Sequence, residues 1–302
     1  MIEHPEVLPS QDGRARAVGR RAKGLGAVAL LLGLCFSQPL YDWARFAWHS
    51  ELYSHTLLVP FISLYLCRVR RQKLVADSGR ALGAAVFPLL GGLGLLAGCW
   101  LAARWGWKPT AADYLSVMTL SFLLLLLGAS LAFLGARVLR QLAFPAAFLI
   151  FMVPFPSVLL AGIERFFQFG SADAAQGLFW LSGMPVLRQG MEFHLPGFSL
   201  QVAPQCSGIH SSLVLFITSL LAGHLFLAGA WRRAVLALAV IPLALLRNGL
   251  RIAAIGHLCV QAGPQMIDSP IHRQGGPLFF ALSLVPFLLL LFILKKSERS
   301  QI

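Results

Sequence analysis

The stretch Val202-Ala-Pro-Gln-Cys-Ser-Gly-Ile-His-Ser-Ser212 carries an alternating segment into an apolar run, with Cys206 at the junction. A helix N-terminus there offers unpaired backbone N–H groups and the positive end of the macrodipole. Both favour a thiolate, the nucleophilic form of cysteine. A second stretch, Ala244-Leu-Leu-Arg-Asn-Gly-Leu-Arg-Ile-Ala-Ala-Ile-Gly256, sets Arg247, Asn248 and Arg251 inside an otherwise apolar helix. A charge at that depth costs about 3 kcal/mol, so each arginine needs either a structural partner or a chemical task. Arg247 and Arg251, four apart, share a helical face. The structural options are pairing with Asp113 or Asp173, or capping of external carbonyls. The chemical option is stabilising a thiolate or an oxyanion. A third stretch, Met266-Ile-Asp-Ser-Pro-Ile-His-Arg-Gln-Gly-Gly276, presents His272 just before the last apolar run, where an imidazole suits acid/base work. Cys206, Arg251 and His272 together would support acyl transfer through a thioester.

Other histidines compete for that role. His210 follows Cys206 by four residues, the spacing of one helical turn, and His55 opens the second apolar run. His49, His194, His224 and His257 sit in ordinary surroundings, and no HxxxH or HExxH spacing points to a metal. Cys35, Cys67, Cys99 and Cys259 read as small buried apolar residues. Five cysteines without a CxxC spacing give no disulfide framework, and neither a cofactor nor a metal is expected.

What must position these residues is a membrane scaffold. The 302 residues are 57% hydrophobic and 12% charged, and a soluble domain carries about 25% charged residues. Apolar runs fall near 24–40, 52–67, 82–103, 114–135, 138–155, 207–229, 234–260 and 275–294. The net charge of +13 concentrates beside them, at Arg14 to Lys23, Arg68 to Arg80, Arg137 and Arg140, Arg232 and Arg233, and Lys295 to Arg299. Cytoplasmic loops retain Lys and Arg in this way, so the charge reports topology and not a nucleic-acid partner. Alternating the runs predicts eight crossings with both termini inside. Residues 1–23 form a cytoplasmic tail, 24–294 one membrane domain and 295–302 a second tail. Cys206, Arg251 and His272 then all fall on the outer side. No small-residue cleavage site follows the first run, so that helix is read as uncleaved.

The outer segment 157–205 has two parts. Glu164, Gln168 and Gln176 recur at helical spacing across 157–182, predicting an amphipathic helix in the interface. The alternative makes 138–155 re-entrant and lets 157–182 span. After Gly183 the period becomes two, and Met191–Leu195 with Phe198–Val202 around Pro196-Gly197 predicts a small β-hairpin. The predicted fold is therefore an all-α polytopic membrane protein of about eight transmembrane helices, with an external amphipathic helix and a hairpin.

These motifs resemble the exosortase/archaeosortase family. The resemblance rests on Ala203-Pro-Gln-Cys-Ser-Gly208, Asn248-Gly-Leu-Arg251 and His272-Arg-Gln-Gly-Gly276 with Phe280. It extends to Tyr53-Ser-His55, Leu58-Val-Pro60, Ile62 to Tyr65, Phe144-Pro145, Phe151 to Pro154, Pro185 to Gly190, and Leu195-Pro-Gly197. It implies a membrane-embedded cysteine protease/transpeptidase of exopolysaccharide-producing Gram-negative-type bacteria, in the inner membrane with its site facing the periplasm. The implied partner is the C-terminal sorting-signal helix of exported proteins, of PEP-CTERM or VPDSG-CTERM type, with an acceptor molecule left open. Carried over by motif, Cys206 is the nucleophile, Arg251 the catalytic arginine and His272 the third member. Many members carry arginine where this chain has His210, and Gly223-His-Leu-Phe-Leu227 points towards the VPDSG-type branch. Two other classes fit the bare sequence: a transporter or carrier for an anionic or lipid-linked substrate, and a non-catalytic membrane scaffold.

Overall fold

The computed structural model describes residues 11–70, 81–202, 208–268 and 275–299. Contacts divide the chain into two compact units, Met1–Ser157 and Val158–Ile302.

The first unit begins with α1 (Gln11–Cys35) and α2 (Ser37–His49), which meet at a 73° bend. Pro39 explains the bend, because it cannot donate to the carbonyl of Cys35 and its ring crowds the preceding turn. A 3₁₀ turn, Ser54–Leu58, leads into α3 (Val59–Arg70), followed by α4 (Leu82–Arg104) and α5 (Ala111–Gln141). Thr110 caps α5, its hydroxyl oxygen accepting from Asp113 N–H at 3.1 Å. Near its end α5 breaks at Gly135, whose φ of 82° suits glycine. A short helix α6 (Ala143–Phe148) and a 3₁₀ turn (Leu149–Met152) follow, ended by Pro154 and Pro156.

This irregular backbone would be costly in an apolar surrounding unless its carbonyls found donors. Side chains supply them. Ser63 Oγ donates to Pro145 O at 2.6 Å, Trp43 Nε1 to Met152 O at 2.8 Å, and Ser116 Oγ to Pro154 O at 2.6 Å. Asp113 then anchors the start of the next helix, accepting from Ser157 N–H at 2.7 Å and Ser157 Oγ at 2.9 Å.

The second unit holds nearly all of α7 (Ser157–Leu181), three strands, α8 (Ile209–Phe226), α9 (Ala230–Leu238), α10 (Val240–Ala262) and α11 (Gly276–Arg299). The strands β1 (Leu187–Gln189), β2 (Glu192–Leu195) and β3 (Phe198–Gln201) form an antiparallel sheet in the order β1-β2-β3. The hairpin predicted from the alternation is β2–β3, with Phe193 opposite Leu200. The third strand escaped the reading because Leu-Arg-Gln is too short to show a period. Phe193, Leu195, Leu200 and Val202 bury against Ala172, Ala175 and Phe179 of α7 and Ile252 and Ala253 of α10.

Small residues let α10 come this close to α7. A Cβ added at Gly249 would stand 2.6 Å from Ala174 Cβ, and one at Gly256 2.6 Å from Phe179 Cζ. Between α9 and α10 the helix is interrupted at Ala239, since Pro242 cannot donate to Leu238 O. At the far end Glu298 of α11 accepts from Ala228 N–H at 2.9 Å, Gly229 N–H at 2.7 Å and Arg232 Nη1 at 3.1 Å. That clamp ties the α8–α9 turn to α11.

Among the described residues, five helices are long and apolar enough to cross a membrane: α4, α5, α8, α9–α10 and α11. The bent pairs α1–α2 and α6–α7 raise the number to seven if each is one span. The 3₁₀ turn and α3 run from Ser54 to Arg70. At ~2.0 and ~1.5 Å per residue they extend about 28 Å, close to the ~30 Å hydrocarbon thickness. The chain is thus a multi-pass helical membrane protein, although length and composition alone do not reach eight crossings. The run at 138–155 is not one straight helix, as a single crossing there would require. It consists of the end of α5, α6 and a 3₁₀ turn, and the 25-residue α7 follows.

Candidate active site

Two of the three sequence-predicted site residues, Cys206 and His272, lie outside the described residues. The structure describes what adjoins them. Strand β3 ends at Gln201 and α8 begins at Ile209, so Cys206 falls in the connection between sheet and helix. Gly208 precedes the first turn of α8 with φ 70° and ψ 15°, a left-handed conformation. This break has a consequence for His210. Helical spacing would stack residues 206 and 210 only if the helix ran through both, and it starts at Ile209. Cys206 lies outside the described residues, and His210 sits half-buried in the first turn of α8.

The Gly208 carbonyl is a focus of hydrogen bonds. It accepts from Ser212 N–H at 3.0 Å, Ser212 Oγ at 2.7 Å, Ser211 Oγ at 3.1 Å and Arg247 Nη2 at 3.2 Å. The same Nη2 donates to Ser212 Oγ at 3.1 Å. Arg247 is 93% buried, with 7% of its surface exposed, and Asn248 is buried beside it. A Cβ built on Gly208 would lie 3.1 Å from Asn248 Oδ1 and 3.3 Å from Arg247 Nη2. The start of α8 thus rests directly on Arg247 and Asn248 of α10. Glycine fits there for two reasons, its positive φ and the missing side chain.

Arg251 lies one turn further along α10, half-buried, and its charge repels that of Arg247. Neither carboxylate proposed as a partner is bound to Arg247. Asp113 is held by Thr110 and Ser157, and Asp173 accepts from Arg188 Nη1 at 2.6 Å. Arg188 also donates to Gln176 Oε1 at 3.1 Å and Gly190 O at 2.8 Å, pinning the β1–β2 turn to α7. Among the described residues, the hydrogen bonds of Arg247 run to Gly208 O and Ser212 Oγ.

The remaining polar residues sort by their partners. His257 Nε2 pairs with Ser182 Oγ at 2.8 Å and His194 Nδ1 with Ser199 Oγ at 2.8 Å. His49 Nδ1 pairs with Arg45 O at 2.8 Å. His55 lies half-buried in the 3₁₀ turn of the first unit. Of the four cysteines read as buried, only Cys259 is. Cys35 is exposed, and Cys67 and Cys99 are intermediate. Among the described residues, no group of three or more His, Cys, Asp or Glu is placed to hold a metal. The first unit has a cavity of about 420 Å³ lined by Asp42, Arg45, Phe46, His49, Ala111, Tyr114 and Leu115, which the sequence reading missed. Its residues come from two distant segments, and no local motif announces them.

A family model described as transmembrane exosortase matches residues 43–289, most of the chain. The chain belongs to the transmembrane exosortase family. Neither curated proteins nor solved structures give a match to it. In this exosortase the matched region runs from within α2 to residue 289 of α11, and so contains Cys206, His210, Arg247, Asn248, Arg251, His272 and His55.

Proposed function

We propose that this exosortase is a cysteine protease/transpeptidase of the bacterial inner membrane, with its site facing the periplasm. It would cleave the C-terminal sorting signal of exported proteins, of PEP-CTERM or VPDSG-CTERM type. The observation that carries this reading is the seating of Arg247 and Asn248 against Gly208, two residues beyond Cys206. Buried cationic charge against Gly208, two residues along the chain from Cys206, supports a thiolate and an oxyanion forming there.

The Cys206 thiolate attacks the scissile carbonyl carbon and forms a C–S bond. Arg251 stabilises the thiolate. His272 protonates the departing amine as the C–N bond breaks, leaving a thioester on Cys206. His272 then takes a proton from water or an acceptor nucleophile, whose attack on the thioester expels the thiolate. The acceptor chemistry decides between hydrolysis and transpeptidation.

The test is replacement of Cys206 by alanine in a strain expressing a reporter with a C-terminal signal motif, an apolar helix and an Arg-rich tail. Processing should stop while the exosortase still accumulates in the membrane. Undiminished processing would remove Cys206 from the mechanism.

A further inference from the structure

Arg247 uses only part of its guanidinium for structure. Nη2 donates to Gly208 O and Ser212 Oγ, whereas Nη1 is buried and has no hydrogen-bond partner among the described residues. Buried donors are almost always satisfied, so an orphan one calls for an explanation. A role confined to bracing the start of α8 would need one nitrogen, and a neutral amide could fill it. What is present instead is a charged group held in a fixed orientation, nine-tenths removed from solvent, with a spare N–H. A fixed donor in a dry site is the arrangement that stabilises charge appearing during a reaction, because nothing has to reorient when it appears.

We propose that Nη1 of Arg247 is an oxyanion donor of the acyl transfer, complementing the action of Arg251 on the thiolate; this rests on the proposed Cys206 chemistry. When the thiolate sulfur bonds to the scissile carbonyl carbon, the C=O π pair moves onto oxygen. Arg247 Nη1–H donates a hydrogen bond to that alkoxide without transferring its proton. The pair returns as the C–N bond breaks, and His272 supplies the proton that leaves with the amine. The two arginines then divide the work. Arg251 acts on the thiolate before attack, and Arg247 meets the charge that exists only after it.

The ligand class is therefore a tetrahedral oxyanion, and the test must separate it from thiolate activation and from structural support. Arg247→Gln puts a shorter neutral amide in place of the cationic fork and removes the spare donor. Two co-expressed reporters serve as probes, ending in Pro-Glu-Pro or Val-Pro-Asp-Ser-Gly followed by an apolar helix and an Arg-rich tail. Processing is timed by pulse-chase. The pH profile of Cys206 alkylation by iodoacetamide is read by mass spectrometry on the full-length protein in membranes. The expected result is processing about 10²-fold slower with the alkylation profile unmoved. Processing within threefold of the parent would overturn the proposal, and so would an alkylation profile displaced to higher pH, which would make Arg247 a thiolate partner. Should Arg247→Gln not accumulate, Arg247→Lys takes its place. It keeps the charge but not the planar two-nitrogen fork, and the same two outcomes decide. A Cys206→Ala exosortase that still processes either reporter sinks the underlying reading instead, and the two failures are thereby distinct.

Discussion

Replacing Gly208 by alanine isolates the contact on which the site is built. Gly208 has φ +70°, and a left-handed backbone costs a non-glycine residue about 1–2 kcal/mol. That cost alone would be uninformative, but Gly183 offers a matched control. It too has φ +70°, and nothing lies within 4 Å of a Cβ added there. At Gly208 the added Cβ would meet Asn248 Oδ1 at 3.1 Å, Asn248 Cγ at 3.2 Å and Arg247 Nη2 at 3.3 Å. Those atoms belong to buried side chains, and Arg247 is tied down by Gly208 and Ser212. They must shift by a few tenths of an ångström, which disturbs the very groups proposed to meet substrate. Both variants should lower the thermal unfolding midpoint in detergent, by about 2–4 °C for each kcal/mol lost. Only Gly208→Ala should also slow reporter processing, by at least about tenfold, the equivalent of ~1.4 kcal/mol in the barrier. Equal processing by the two variants would refute the argument, because the backbone term is the same in both.

Other perturbations address the scaffold. Gly256→Val inserts atoms where a first carbon already meets Phe179 Cζ at 2.6 Å. Overpacking of this kind costs about 1–3 kcal/mol, so the unfolding midpoint should fall and hydrogen exchange should rise across 187–201. An unchanged midpoint would mean α7 and α10 are further apart than described. Glu298→Gln weakens the acceptor shared by Ala228, Gly229 and Arg232. It should lower the midpoint while leaving the rate of Cys206 alkylation unchanged, both measured on the same membranes. A changed alkylation rate would show that the clamp reaches the site.

The sequence made the membrane class legible because charge is sparse and Lys and Arg cluster beside apolar runs. Hairpin β2–β3 was legible as well, through the strict alternation of Glu-Phe-His-Leu and Phe-Ser-Leu-Gln. Bends were harder to read. Hydropathy sums residues without direction, so it cannot register that Pro39 turns α1 into α2 by 73°, or that α5 breaks at Gly135. At the site, the motif singled out Arg251, yet the side chain locked against the start of α8 is Arg247. Both lie on one helical face, and Arg247 is the one held by Gly208 and Ser212 at the start of α8. That contact is a property of packing. Hydropathy likewise could not show that the left-handed Gly208 sets the start of α8 at Ile209.

The central claim is that Cys206 carries the acyl group. Rapid acid quenching of exosortase membranes with a processed reporter, followed by intact-mass and peptide mass spectrometry, tests it directly. A reporter fragment joined to Cys206 through a thioester, labile to hydroxylamine and missing from Cys206→Ala, is the predicted result. Continued processing with no adduct on Cys206, or an adduct on another residue that survives Cys206→Ala, would contradict the account.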